Sequence, residues 1–486
     1  MFSFLFSILA LVIGYLLYGK FVEKVFGPDP SRPTPAISKA DGVDYIAMPA
    51  WKVFMIQFLN IAGTGPIFGA IMGAKFGPAS YLWIVFGCIF AGAVHDYLSG
   101  MLSIRHGGAN YPDIVGHYLG KTTKTVMLVF SMFLLIMVGA VFVYSPAIIL
   151  GGMTGGGSTS SMLIWCGVIF IYYIIATLLP IDKIIGRIYP VFAVALLFMA
   201  AALFVGLIVK WPSLPELWNG LGGWADKAGI GSQPIFPCLF ITIACGAVSG
   251  FHATQSPIMA RCIKSEKLGR PIFYGAMITE GIIALIWAAV ASYFFYGGGA
   301  AEVGSDLSAA APTVVTRVSK DWLGVFGGIL ALLGVVAAPI TSGDTAFRSA
   351  RLIVADFVKL PQKKHAHRLI IALPLFALAA LMLWYNIADE NGFNTIWRYF
   401  GWANQTLACF TLWTVTVWLT INKKGVYYLI GMLPAAFMTA VCTTYICVDK
   451  IGFHLPPAWI PYIAVGVFAL SVCLYYLLSR KLRKEK

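Results

Sequence analysis

The chain has 486 residues, of which 59% are hydrophobic and only 11% charged, whereas an ordinary soluble domain carries about 25% charged residues. Its 34 Lys and Arg and 20 Asp and Glu are too few to coat a soluble particle of 52.7 kDa, and the mean hydropathy is +0.83. These values exclude a soluble enzyme, a nucleic-acid-binding module and a disordered protein, and leave an all-α polytopic membrane protein.

A helix needs ~20 apolar residues to cross a bilayer. Thirteen segments are predicted to do so, near 2–19, 51–73, 79–103, 124–150, 161–180, 188–209, 236–258, 272–296, 322–347, 367–386, 397–420, 427–447 and 458–479. The first has no basic leader and is followed by Tyr18, Gly19 and Lys20 rather than a small-residue cleavage site, so it reads as a retained span and not a signal peptide. Segments 110–120 and 305–320 read as short surface or re-entrant helices.

The basic tail Arg480, Lys481, Arg483, Lys484 and Lys486 places the C-terminus in the cytoplasm and, with thirteen spans, the N-terminus outside. Alternate loops then hold 27 of the 34 basic residues on the cytoplasmic side; Lys75, Lys210, Lys227, Arg317, Lys320, Arg398 and Lys450 fall outside. This is the pattern of an inner-membrane protein. The net charge of +14 is therefore a topology signal, spread over seven segments, and no nucleic-acid partner is expected. The nine cysteines show no CxxC or zinc-knuckle spacing, so neither a disulfide framework nor a metal site is expected, and no motif calls for a cofactor.

Two spans are interrupted. The second reads Asn60-Ile61-Ala62-Gly63-Thr64-Gly65-Pro66 at its middle, and the seventh runs from Cys245 through Gly246, Ser249, Gly250, His252, Thr254 and Gln255 to Pro257. Gly and Pro alone are tolerated in membrane helices, but here they cluster with polar side chains that need partners within the bilayer. The breaks lie five spans apart, and an odd offset inverts topology. The expected organisation is residues 1–50 as the first helix and a cytoplasmic loop, 51–210 and 211–422 as two inverted five-span repeats, and 423–486 as two further helices and the basic tail. Paired interrupted helices point to a secondary-transporter site. The candidate substrate contacts are Asn60, Gly63, Thr64 and Gly65 on span 2, and Ser249, His252, Thr254 and Gln255 on span 7. Asn404 and Gln405 on span 11 complete the set, although an interhelix hydrogen bond explains Asn404 equally well.

Three acids lie within spans: Asp96, Glu280 and Asp344. Intramembrane ionisable residues are costly and functional by default. Asp96 and Glu280 occupy the second span of each repeat, and each reads either as a packing pair or as a proton carrier. Span 9 adds Thr341 and Ser342 beside Asp344, oxygen donors suited to a hard cation; Asp344 and Arg348, at i,i+4, suit an ion pair instead.

The stretches Gln57 to Gly69, Gly92 to Met101, Ser249 to Pro257, Ala338 to Arg348 and Phe400 to Gln405 together resemble the carbon-starvation protein (CstA) family of bacterial transporters, over about residues 1–480. The resemblance implies a LeuT-like core similar to that of the amino acid–polyamine–organocation group, with one extra helix before it and two after. It also implies import of a small-molecule substrate, peptides or pyruvate, coupled to protons; a sodium-coupled amino-acid or carboxylate symporter of the same fold is the alternative. A channel would need a filter repeat, and a membrane enzyme would need a nucleophile–base pair or a motif such as HExxH. Neither is evident.

Overall fold

The computed structural model describes every residue except 157, 179–184, 228, 230–232, 300–306, 363, 390–391 and 485–486. Lys183, Lys363 and Lys486 from the charge count lie outside the described residues, as does the start of the 305–320 segment. The regular structure of the described residues is all helical, with no strand among them.

The first span is two helices in line, α1 (Phe2–Leu16) and α2 (Tyr18–Phe26). In the second, α3 (Ala50–Ala62) ends and the chain restarts at Gly65 with a bend of 53°. Two glycines make the bend possible. Gly63 has φ +49°, a region that favours glycine. At Gly65 an added Cβ would sit 2.3 Å from both Cβ and Sγ of Cys245, so the two interruptions touch. The third span is α4 (Ala79–Gly87) and α5 (Ala93–Arg105), joined by a wide π turn at Cys88–Gly92. The predicted short helix at 110–120 is α6 (Tyr111–Leu119). Then follow α7 (Lys121–Gly155), α8 (Thr159–Leu178) and α9 (Ile185–Lys210).

The seventh span is α10 (Ile235–Thr242) and α11 (Phe251–Ala260), separated by eight non-α residues. The eighth repeats the device of the third: a π turn at Arg270–Tyr274 leads into α12 (Gly275–Phe294). A helical run, α13 (Leu307–Val358), is broken at Gly324, where φ is 66° and ψ is −171°; its first part covers the predicted 305–320 helix. The chain ends with α14 (His365–Ala388), α15 (Gly392–Asn422), α16 (Leu429–Val448) and α17 (Ile460–Lys484).

Among the described residues nine helices are long and apolar enough to span a membrane, or ten if the bent second span counts as one. The other segments predicted to span coincide with α10–α11, the second part of α13, and α15. In the seventh, neither half, 8 and 10 residues long, is long enough alone. The third and eighth spans are the most buried, and the last helix is mostly exposed at the rim. α13 packs against α9, α7 and α3, and α11 packs against α5, so the breaks, α5 and α12 share one centre.

Polar contacts form two separate sets. One joins Arg105 to Glu266 (3.1 Å), Arg270 to Glu23 (2.7 Å), Arg348 to Asp44 (3.5 Å), and Lys423 Nζ to the Phe26 carbonyl (3.0 Å). The other joins the amino terminus to Glu216, Lys75 Nζ to Gln233 Oε1 (2.5 Å), and Arg398 to Asp449 (2.9 Å).

Candidate functional site

The interruption of span 7 leaves backbone groups without helical partners, and such groups must be satisfied inside the bilayer. The neighbouring helices supply them. Gln405 Nε2 donates to the Phe240 carbonyl at 2.8 Å, and Trp83 Nε1 donates to the Ile243 carbonyl at 2.8 Å. Asn404 caps the restart of the helix. Its Oδ1 accepts from the Phe251 N–H at 2.7 Å and from Ser249 Oγ at 3.1 Å, and its main-chain carbonyl accepts from Gly250 N–H at 3.1 Å. In span 2 the latch comes from α13: Ser342 Oγ donates to the Leu59 carbonyl at 2.8 Å and accepts from Gly63 N–H at 3.1 Å. Asn404→Ala would leave the buried Phe251 N–H unpaired, at a cost of about 1–3 kcal/mol. A lowered Tm of the purified variant is the expected result.

The intramembrane acids converge. Asp96 on α5 receives two imidazoles: His95 Nδ1 lies 2.8 Å from Oδ1 and His252 Nδ1 2.8 Å from Oδ2. Adjacent residues on a helix point about 100° apart, yet His95 folds back onto Asp96. His252 presents its other nitrogen, Nε2, to Glu280 Oε2 on α12 at 3.4 Å, without hydrogen-bond geometry. All four side chains are fully buried. A carboxylate accepting two Nδ1–H bonds sets the tautomer of His252 and leaves its Nε2 facing Glu280. Neither Glu280 oxygen has a hydrogen-bond partner among the described residues.

A second group of unpartnered polar atoms lines span 2: both amide atoms of Gln57, both of Asn60, and Thr64 Oγ1. Gln57 and Asn60, three apart, share one face of α3, and Thr64 lies in the break that follows it. On span 7 and α15, Gln255 Oε1 and Gln405 Oε1 also lack a partner, while Thr254 Oγ1 donates to the Phe251 carbonyl at 2.7 Å and accepts from Gln255 Nε2 at 2.8 Å. Buried polar groups are normally satisfied, so this unpaired set beside two broken helices is a candidate contact surface for water or a polar molecule.

The three span-9 candidates turn to different partners. Thr341 Oγ1 donates back to the carbonyls of its own preceding turn, at 2.8 and 2.9 Å. Ser342 is the latch already described. Asp344 Oδ2 lies 2.7 Å from the Tyr189 hydroxyl, which is also 2.9 Å from the Thr341 carbonyl. The alternative Asp344–Arg348 pair does not form: Arg348 Nη1 faces Asp44 at 3.5 Å, and Nη2 donates to the Ala176 carbonyl at 3.0 Å. The reason is direction, since Arg348 reaches the loop before span 2 while Asp344 turns into α9.

Sequence reasoning left Gln57, His95 and Cys245 out of the candidate site set. Gln57 was legible as the i−3 neighbour of Asn60 on the same face. His95 stood beside Asp96 and Cys245 opened the span-7 interruption. Adjacent helix residues need not touch, however, and the sequence did not show that His95 turns onto Asp96 or that Cys245 lies near His252 and Glu280.

An all-helical bundle with two face-to-face broken helices and buried acids beside them defines a LeuT-like transporter fold. The manganese transporter of Eremococcus coleocola superposes with a TM-score of 0.59 at 11% identity, over 92% of this chain and 99% of that one. The sequence profile described as carbon starvation protein CstA matches residues 1–166, 154–323 and 299–445; the chain belongs to this family. The peptide transporter CstA of Escherichia coli is 26% identical over 90% of this chain and 79% of its own length. The pyruvate/proton symporter BtsT of the same organism is 24% identical over 90% and 80%. These relatives are transporters, not enzymes.

Proposed function

We propose that the protein is a secondary active importer of a small organic nutrient, peptides or pyruvate, driven by protons and working by alternating access in the bacterial inner membrane. The observation that carries this reading is the buried chain Asp96–His252–Glu280, set beside a broken helix. Glu280 is a buried carboxyl group inside a span, without a hydrogen-bond partner among the described residues, and such a group can carry a proton. Exposure to water on one side would release the proton, and the His252 imidazole links it to Asp96. The substrate would lie between the interruptions, against Gln57, Asn60, Thr64 and Gln255. In the reading offered here the repeats run over 51–210 and 211–422, each with five of thirteen spans.

The two sets of polar contacts support the orientation. The set containing Glu23, Arg105, Glu266, Arg348 and Lys423 draws on the loops that hold most of the basic residues, and is taken as cytoplasmic; the set containing Met1 is taken as external. Beside the Arg348–Asp44 pair of the first set a cavity of about 420 Å³ is lined by Lys39, Asp41, Asp44, Arg261 and Asp356 among others, suited to an inner vestibule. Sodium coupling would need Thr341, Ser342 and Asp344 on one ion, and their separate partners weigh against it.

Uptake of labelled pyruvate and of dipeptides into proteoliposomes tests the proposal. Accumulation of one of them under an inward proton gradient, and none under sodium alone, is expected; indifference to either gradient would sink the coupled reading. Tyr189→Phe removes and Asp344→Asn weakens the hydrogen bond between Tyr189 and Asp344 that joins α9 to α13. If Asp344 only holds the helices together, both lower Tm, by about 1–3 kcal/mol of lost stability, and leave the proton dependence of uptake unchanged; a change confined to Asp344→Asn assigns it to coupling.

A further inference from the structure

We infer that Cys245, His252 and Glu280 form a binding site for a borderline-soft divalent cation of the Zn²⁺ or Cd²⁺ class. Each offers one ligand atom, the three atoms lie within 4.8 Å of one another, and all three residues are buried. They come from the interruption of span 7, from α11 and from α12, so the site is held by packed segments rather than by a loose loop. A thiolate, an imidazole and a carboxylate are a donor set suited to such ions. In tetrahedral zinc geometry neighbouring donors stand about 3.5 Å apart. His252 Nε2 and Glu280 Oε2, at 3.4 Å, already do; with all three atoms within 4.8 Å, Cys245 closes the remainder by a shift of up to about 1.3 Å.

Three independent features point to a ligand here. His252 Nε2 and both Glu280 oxygens are buried and without a hydrogen-bond partner. His252 is oriented through Nδ1 by the Asp96 carboxylate at 2.8 Å, the arrangement that metal-ligating histidines use to fix their tautomer and raise their basicity. Around the sulfur, Asn404 Nδ2 donates to Cys245 Sγ at 3.6 Å, and Ser249 Oγ lies 3.6 Å away, polar neighbours fit to support a thiolate. A divalent ion would balance the charges of Glu280 and the thiolate, which burial otherwise makes costly. Three protein ligands leave a fourth position open, as in sites that exchange a ligand.

The inference rests on the geometry of the centre and not on transport, so its test is equilibrium binding to the purified full-length protein. Cd²⁺ titration is expected to fill one site per chain and to produce the ultraviolet thiolate-to-cadmium charge-transfer band. Cys245→Ser should abolish the band, and Cys245→His should keep metal binding without it, which separates ligand loss from misfolding. Asp96→Asn, acting through His252, should weaken binding about 10–100-fold. A band that survives in Cys245→Ser, or affinity unchanged in both Glu280→Gln and His252→Gln, overturns the site. Its failure would leave gradient-driven uptake untouched, and failed uptake would leave metal binding untouched.

Discussion

Glu280→Gln is expected to abolish proton-driven accumulation of substrate while sparing exchange of internal for external substrate. Glutamine matches the volume of glutamate and can sit at the same 3.4 Å from His252 Nε2, so packing around α12 is retained. It carries no titratable proton. A transporter stripped of its coupling group can still reorient with substrate bound, but it can no longer concentrate it, and the internal-to-external ratio falls to about one whatever the gradient. Counterflow of labelled substrate and accumulation under an imposed gradient, measured on the same proteoliposomes, separate the two activities. Loss of both would show that Glu280 supports the structure; retention of both would remove it from coupling. His252→Gln should behave likewise, because the imidazole is the bridge between Glu280 and Asp96.

Gly65→Ala should cost about 1–3 kcal/mol and stop uptake, although the chain still inserts. The added methyl would stand 2.3 Å from both Cβ and Sγ of Cys245, with the Cys245 Cα at 3.7 Å. The clash is therefore with one small side chain, and removing that side chain should relieve it. In the Gly65→Ala, Cys245→Gly double variant, stability should recover part of the loss, an interaction of opposite sign to the two single losses. Thermal unfolding of the four proteins in detergent measures it. Strict additivity would mean that the two interruptions do not pack as described. The larger Gly65→Leu should show no uptake in either background, since no single deletion clears room for it.

How far the centre was legible in the sequence follows from how local each signal was. The interruption of span 2 was visible because Gly63, Gly65 and Pro66 are themselves the cause of the bend. Asp96 and Glu280 stood out because charge is rare inside spans. Gln57 was readable as the polar residue one turn before Asn60 on the same face of α3. The Asp344–Arg348 pair illustrates the opposite case: i,i+4 spacing made it reasonable, but Arg348 is drawn to Asp44 and Asp344 to Tyr189, partners 304 and 155 positions away.

By itself, then, the sequence determined that the protein is a multi-span helical membrane protein, that the second and seventh spans are interrupted, and which acids fall within helices, since hydropathy, backbone-breaking residues and charge act over one helix length or less. The tertiary structure alone decided what those groups do to one another. His95 and His252 meet on Asp96, Glu280 and Cys245 meet on the far side of His252, and Asn404 is spent on the backbone of span 7. The physical reason is range: each of these interactions acts over only a few ångströms, between atoms that the fold brings together from different helices.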